Sequence, residues 1–204
     1  MASRTPKFLL IHRERLKPGA EAAYTEIEED TARIQRRLGC PHPYLGAESL
    51  GRPKQVWFFN GYESRQEWDR ILAAYAGNEP LMAALKANSI RKARLIHSPL
   101  SVLARHRADL DRRAPWTLGV GRFLVITLTK QEPKRAGTTF EAGDGTRFVI
   151  TPARTRAQAA AAAARAGRQT TVLAVRPSYS SAAPTWIDRD PAFWRRAPPL
   201  MLRG

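Results

Sequence analysis

Polar side chains that could do chemistry stand inside two apolar stretches of the sequence. His12 lies in FLLIHRERL, where an imidazole could bind a ligand or move a proton near neutral pH. Asn60 and Tyr62 follow VWFF on the same alternating face as Phe58, so they could orient a ligand in an apolar pocket. We therefore predict one catalytic residue, His12, and four ligand-binding residues: Phe58, Asn60, Tyr62 and Trp68.

Each of these residues also has a plainer interpretation. His12 could be a hydrogen-bonded core histidine, Asn60 a turn residue before Gly61, and Trp68 a side chain that packs a helix onto a sheet. The sequence has no phosphate-binding loop, dinucleotide-binding glycine motif, serine-hydrolase elbow or zinc-protease motif. The single cysteine, Cys40, excludes an intrachain disulfide and a multi-cysteine metal site, and no metal is expected.

The aromatic stretch VWFF predicts the central strand of the first half. Both of its faces are apolar, so we expect both to be covered. Helices would cover one face, and something other than a helix would cover the other. Ser64 and Glu67 form a capping box that begins a helix, and Gly77 ends it. Trp68, Ile71, Leu72 and Tyr75 have the spacing of one helical face.

The other elements of the first half follow from periodicity and turn residues. We predict strands over 8–16 and 44–50, a weaker strand over 101–106, and a helix that begins near Pro80 and ends near Arg94. Lys17-Pro18-Gly19 leads into another helix, which ends at Gly39. We expect that helix to bury Ala23, Ile27, Ile34 and Leu38 and to expose Glu26, Glu28, Glu29 and Asp30. The order β-α-β-β-α-β is the ferredoxin-like arrangement, an antiparallel sheet with both helices on one face.

The second half repeats this order without its first helix. After a polar linker over 109–115 we predict a strand over 122–129, a hairpin around Gly143-Asp144-Gly145, an alanine-rich helix and a strand over 171–176. Thr151-Pro152 could begin the helix, and Thr155 with Gln158 offers a second capping box. We predict an α+β fold in which residues 1–108 form a ferredoxin-like unit, 116–176 a degenerate second unit, and 177–204 a Pro-rich C-terminal arm. The two units would close an α/β barrel, a pseudo-dimer within one chain.

Residues 7–106 resemble the dimeric α/β-barrel superfamily, specifically its antibiotic-biosynthesis-monooxygenase-like members. The matching features are the first strand ending in Lys17-Pro18-Gly19 before an acidic helix, and the aromatic strand that runs into Tyr62-Glu63-Ser64 before a Trp-bearing helix. The resemblance implies binding of a small apolar or aromatic ligand and cofactor-independent monooxygenase-like chemistry. Heme-degrading members use a strand Asn, a helix Trp and a helix His. Here His12 stands near the place of the Asn, Trp68 could match the Trp, and Asn78 and Glu79 stand where the His belongs. No cofactor is therefore expected, heme included.

We expect the sheet face closed over by the second unit to leave the ligand cavity, with His12 as its titratable group and Asn60 and Tyr62 as orienting donors. The ligand would be planar, apolar and anionic. An RNA- or DNA-binding protein and a non-catalytic structural protein are the alternatives. An RNA-recognition fold shares this element order, but residues 54–59 lack its glycines and the register of its stacking aromatics.

The composition fits a globular protein with an excess of basic residues. The formal net charge is +16; residues 1–113 hold 20 basic and 13 acidic residues, and residues 114–204 hold 14 and 5. This charge favours anionic ligands or a solvated basic surface. With neither a secretory signal nor a membrane-spanning stretch, we expect a cytoplasmic protein without membrane contacts. Self-association would use the sheet or the arm, since Trp186, Phe193 and Trp194 suggest that the arm is docked.

Overall fold

The computed structural model describes residues 5–111, 115–133, 137–167 and 169–194. Parts of two predicted segments lie outside these ranges: 112–114 of the linker and 195–204 of the arm.

The first unit has the predicted β-α-β-β-α-β order, with its second helix in two pieces. Its elements are β1 (Phe8–Leu16), α1 (Glu21–Leu38), β2 (Leu45–Ser49), β3 (Gln55–Tyr62), α2 (Arg65–Ala76), α3 (Glu79–Ala93) and β4 (Ile96–His106). The prediction for the last strand was too short, because β4 begins at Ile96 and not at Ser101. Pro99 weakens the sequence pattern there, and a proline is tolerated because this part of β4 lies at a sheet edge.

The second unit has the predicted β-β-β-α-β order. Its elements are β5 (Phe123–Thr129), β6 (Thr138–Glu141), β7 (Arg147–Ala153), α4 (Arg156–Ala166) and β8 (Thr170–Val175). Thr151-Pro152 continues β7 and does not begin the helix, so that prediction was wrong. The helix begins instead at the capping box of Thr155 and Gln158, which satisfies backbone N–H groups at both ends of the motif.

The eight strands form one closed antiparallel barrel in the order β1-β3-β2-β8-β5-β7-β6-β4. Each unit supplies four consecutive strands, and two seams join the units. The β2–β8 seam aligns Ala47, Glu48 and Ser49 with Val175, Ala174 and Leu173. The β4–β6 seam aligns Arg105 with Glu141 and His106 with Phe140. The predicted barrel within a single chain is therefore confirmed.

Side chains from both units fill the barrel interior. The largest of them come from β1, β3, β5, β6 and β7: Leu9, Ile11, Trp57, Phe59, Leu124, Ile126, Phe140, Phe148 and Ile150. Each of these side chains is essentially inaccessible to solvent. The apolar face of the first sheet is thus covered by the second unit, and this contact supplies most of the apolar burial that holds the two units together.

The C-terminal arm closes one end of the barrel. After a 3₁₀ turn (Pro177–Tyr179) it forms two short helices, α5 (Pro184–Arg189) and α6 (Pro191–Trp194). Trp186 and Trp194 join the barrel core together with Trp116 and Leu118 of the segment that precedes β5. The described part of the arm is therefore docked on its own barrel.

Helices cover the outer faces of the strands. Helix α4 packs on the second unit through Ala159, which meets Val125 and Ala153. Helices α1 and α3 lie over the first unit, where Tyr24 of α1 packs with Val56 and Phe58.

The predicted buried stripe of α1 was partly wrong. The buried residues are Tyr24, Ile27, Glu28, Thr31, Ala32 and Gln35, whereas Ala23 is exposed. Glu28 was predicted to be solvent-exposed, but it is only 2% exposed. Its burial is possible because its carboxylate pairs with Lys92 of α3 at 2.6 Å. On α2, Ile71 is buried but Leu72 is 48% exposed.

Candidate functional site

His12 lies on the face of β1 that is turned toward the helices. On β1 the interior residues are Leu9 and Ile11, and side chains of a strand alternate between its faces. His12 aligns with Phe58 of β3, which belongs to the cluster under α1. The prediction that His12, Asn60 and Tyr62 line a cavity under the second unit was therefore wrong about the side of the sheet. Both faces of β3 are apolar, so the sequence pattern could not distinguish them.

The imidazole of His12 is held from both sides by hydrogen bonds. Its Nδ1 lies 2.7 Å from Ser101 Oγ on β4, and its Nε2 lies 3.1 Å from Glu14 Oε1 on the same strand. His12 and Ser101 are aligned across the β1–β4 pair. The side chain of His12 is 28% exposed and its ring centroid is 6.2 Å from that of Phe58. A solvent-accessible, oriented imidazole beside an aromatic ring can exchange a proton with a bound ligand.

Glu14 connects His12 to a buried polar network between the sheet and the helices. The Tyr24 hydroxyl of α1 donates a short hydrogen bond to Glu14 Oε2, and Lys92 Nζ of α3 lies 3.6 Å from Glu14 Oε1. The same ammonium contacts Glu28 and lies 5.7 Å from the ring centroids of both Tyr24 and Phe58. Two carboxylates and two aromatic rings thus surround one cation.

Burial and charge set the protonation states of this network. Burial raises the pKa of Glu14, but the hydrogen bond from His12, the charge of Lys92 and the hydrogen bond from Tyr24 together lower this pKa below its ordinary value. Burial lowers the pKa of Lys92, but Glu28 and Glu14 raise it overall. Burial raises the pKa of Glu28, and the negative charge of Glu14 raises it further, so the charge and hydrogen bond of Lys92 do not fully offset the rise. Glu14 is therefore an ionised acceptor for His12.

The other predicted ligand-binding residues extend along β3 away from His12. Asn60 is half-buried beside Leu10, and Tyr62 is stacked on His42 with ring centroids 4.6 Å apart. Trp68 of α2 meets Tyr62 edge-on at 4.9 Å, so the expected packing of that helix on the sheet is present. Burial raises the pKa of Tyr62 to about 12, which keeps its hydroxyl protonated.

Phe58 and Tyr62 are four residues apart on one strand, a span of about 13 Å. His12 and Phe58 therefore stand at one end of this stripe, and the pair Tyr62–Trp68 stands at the other.

A surface cleft of 670 Å³ begins at Leu103, two residues beyond Ser101 on β4. Its walls include Phe8 and Leu103, which lie on the same sheet face as His12 and Ser101, together with Arg105 and Arg107. Arg107 is ion-paired with Asp109 and Glu141. In the described part of the chain, no cluster of three His, Cys, Asp or Glu side chains could hold a metal ion. Within those same ranges, no helix is long and apolar enough to cross a membrane.

Solved structures share this architecture. A protein from Fusobacterium nucleatum that is described as a candidate monooxygenase superimposes with a TM-score of 0.51 at 11% identity, over 84% of this chain and 93% of its own. The eight-stranded barrel and this superposition establish the fold. The chain has the dimeric α/β-barrel fold.

Two further structures match with TM-scores of 0.47. A candidate monooxygenase from Lactobacillus acidophilus is 8% identical and matches over 88% of this chain and 97% of its own. A candidate chlorite dismutase is 12% identical and matches over 84% and 96%. No protein-family model matches the sequence, and no curated protein matches it.

Within this α/β-barrel fold, the residues at the expected position of a heme-binding histidine have a structural role. The Asn78 side chain accepts a hydrogen bond from Leu81 N–H and donates one to Leu38 C=O, so it caps α3 and joins it to the end of α1. Glu79 follows in the first helical turn. The hydrogen bonds of Asn78 thus fix the start of α3.

Three residues around His12 were not predicted from the sequence. Glu14 and Lys92 look like surface charges in the sequence, and the pattern predicts Ser101 only as the start of a strand. The alternation of β1, which puts Glu14 on the face of His12, could have indicated Glu14. The other two become visible only through strand register and helix packing, because Ser101 and Lys92 are 89 and 78 residues away from their partners His12 and Glu14.

Proposed function

We propose that this α/β-barrel protein binds a small aromatic or apolar ligand on the helix side of its first sheet and acts on it as a cofactor-independent, monooxygenase-like enzyme. His12 would be the proton acceptor, and Phe58, Asn60, Tyr62 and Trp68 would contact the ligand. The observation that carries the proposal is the geometry of His12, which is accessible, beside an aromatic ring and oriented by Glu14.

The hydrogen bonds of His12 decide which ring nitrogen is basic. An ionised carboxylate can only accept a hydrogen bond, so Nε2 carries the proton that is shared with Glu14. In the neutral ring Nδ1 then has the free electron pair, and it points toward Ser101 and solvent. A ligand with an acidic O–H or C–H placed there would lose its proton to Nδ1, and the resulting electron-rich anion could react with oxygen.

The proposal is tested by ligand screening and oxygen uptake. Quinones, hydroquinones and aromatic acids are screened by thermal shift; a ligand at a hundredfold excess over its Kd should stabilise the protein by about 2.7 kcal/mol. With such a ligand, His12→Ala should lower oxygen uptake by about a hundredfold or more, as expected for loss of a general base.

His97→Ala is the matched control, because His97 is an exposed histidine at the start of β4. It should leave both binding and turnover unchanged. Equal oxygen uptake by the wild type and His12→Ala would contradict the role given to His12, and the absence of any stabilising ligand would contradict the proposal itself.

A further inference from the structure

Ser101, His12 and Glu14 form a continuous hydrogen-bonded series. The Ser101 hydroxyl meets one imidazole nitrogen at 2.7 Å, the other nitrogen meets the Glu14 carboxylate at 3.1 Å, and Tyr24 and Lys92 hold that carboxylate. A hydroxyl, an imidazole and a buried carboxylate in this order constitute a nucleophile, a base and an orienting group. We propose that this series is a catalytic triad and that the protein hydrolyses small carboxylic esters, with Ser101 as the nucleophile.

The accessibility of the three groups suits these roles. Ser101 is exposed, His12 is half-buried and Glu14 is 5% exposed. The nucleophile is thus open to substrate while the orienting carboxylate is shielded from water. The carboxylate fixes the tautomer of His12, and the free electron pair of Nδ1 accepts the Ser101 proton.

The edge of β4 supplies a donor for the developing oxyanion. The His106 N–H donates to Lys7 C=O, so Lys7 and His106 are a hydrogen-bonded pair of the β1–β4 ladder. Hydrogen-bonded and non-hydrogen-bonded pairs alternate along an antiparallel ladder, so His12 and Ser101, five positions further, are a non-hydrogen-bonded pair. The backbone N–H groups of Ser101 and Leu103 consequently point away from β1. Within the described residues, β6 pairs only with Arg105 and His106 on that side. In the part of the chain that the structure describes, no strand pairs with the Ser101 N–H, so this group can donate to a substrate carbonyl oxygen beside the Ser101 hydroxyl.

The apolar side chains that follow Ser101 along its sheet face indicate the class of ester. Leu103 is the next residue of β4 on that face, and with Phe8 it forms the apolar part of a cleft whose other walls include Arg105, Arg107 and Glu141. An apolar acyl group of a few carbons would pack against Leu103 while its carbonyl oxygen accepts from the Ser101 N–H. We therefore expect short-chain acyl esters to be the substrates.

The reaction balances without any redox partner. The Ser101 Oγ attacks the acyl carbon while His12 Nδ1 takes the hydroxyl proton; the ester C–O bond then breaks, and the proton passes from His12 to the leaving alkoxide. A water molecule attacks the acyl-serine, His12 takes its proton, and the acyl–Oγ bond breaks with return of the proton to Ser101. The products are a carboxylic acid and an alcohol.

This activity shares His12 with the function proposed above but requires neither oxygen nor an aromatic ligand. Ester hydrolysis should proceed at an unchanged rate when oxygen is removed, and it should need no added aromatic ligand. The two proposals can therefore fail independently.

The experiment is hydrolysis of p-nitrophenyl butyrate by the full-length chain. The wild type should release a burst of p-nitrophenol that is stoichiometric with protein, and a fluorophosphonate probe should label the peptide that contains Ser101. Ser101→Ala should lose the burst, the labelling and at least about a hundredfold in rate. Ser98→Ala is the matched control, because Ser98 is an exposed serine of the same strand outside the hydrogen-bonded series, and it should behave like the wild type.

The positioning role of Glu14 requires a separate readout. Glu14→Gln should lower kcat and leave KM unchanged, and Glu14→Asp should restore part of the rate, because the acyl group is bound by the cleft and not by the carboxylate. Circular dichroism verifies that each variant is folded. Wild-type protein that hydrolyses the ester no faster than buffer, or Ser101→Ala that retains the burst, would overturn the triad.

Discussion

At the scale of single residues, Lys92 organises the polar layer beneath α1 and α3. Its side chain is 14% exposed and meets the carboxylates of Glu28 and Glu14 at 2.6 and 3.6 Å. Removing one partner of a buried ionic group leaves the other charges without compensation, which costs more free energy than the pair itself provides. The orientation of His12 therefore depends on a residue of a distant helix.

We expect Lys92→Met to lower the free energy of unfolding at pH 7 by about 3 kcal/mol. The deficit should shrink as the pH falls toward 5. Without Lys92 the pKa of Glu28 in the folded protein rises further above its unfolded value, so proton uptake favours the folded state as pH decreases. Urea denaturation at several pH values measures both effects.

Lys86→Met provides the control for this experiment, since Lys86 lies exposed on the same helix. It should change stability by no more than about 0.5 kcal/mol. If the stability lost in Lys92→Met were the same at pH 7 and at pH 5, Glu28 would not be the group that takes up a proton in this pH range.

At the scale of elements, the docking of the arm depends on close approach to a glycine. A Cβ added at Gly119 would lie 2.3 Å from Trp186, and the backbone φ of Gly119 is +81°. Both the space and the conformation exclude a larger residue. The indole of Trp186 thereby reaches the end of the barrel core, where it meets Trp194 with ring centroids 5.5 Å apart.

We expect Gly119→Ala to displace the arm and to destabilise the protein by about 1–3 kcal/mol. Thermal unfolding followed by tryptophan fluorescence measures the loss, and limited proteolysis should cut the arm faster than in the wild type. At Gly143 an added Cβ would meet nothing within 4 Å and φ is not positive, so Gly143→Ala should have little effect. Unchanged proteolysis of Gly119→Ala would contradict the proposed docking.

Local patterns predicted the order of the elements because capping residues, glycines and aromatic runs act over a few residues. The capping residues Ser64 and Thr155 are examples, since their side chains bond N–H groups three residues ahead. The errors arose where contacts between distant parts of the chain determine which side chains are buried and which face of a strand is turned inward. Glu28 is buried because Lys92 meets it from another helix, and the sheet face of His12 is set by what covers each side of β3.

At the scale of the whole molecule, the second unit completes a core that the first unit cannot bury alone. Leu9, Ile11, Trp57 and Phe59 of the first unit lie against side chains of the second and are inaccessible to solvent. Both aromatic residues are therefore unavailable to stack nucleic-acid bases, as the RNA-recognition alternative would require.

We expect a chain that ends after Arg113 to form dimers or aggregates, because it exposes this apolar face. Size-exclusion chromatography with light scattering measures its mass, and binding of a hydrophobic dye should be stronger than to the full-length chain. A monodisperse, soluble monomer of residues 1–113 would show that the second unit is not needed to cover the sheet.

The unequal lengths of the two seams imply a preferred place for the barrel to open. Between β2 and β8, three aligned pairs are extended by backbone hydrogen bonds from Leu50 to Val172 and from Arg176 to Gly46. Between β4 and β6, two aligned pairs are extended by one backbone hydrogen bond from Arg107 to Thr139 and supported by the ion pair of Arg107 with Glu141. Regions with few backbone bonds separate at a smaller free energy than the whole fold. The barrel wall should thus open locally and transiently between β4 and β6. Deuterons from the solvent would then reach the apolar interior at this seam, without a permanent channel.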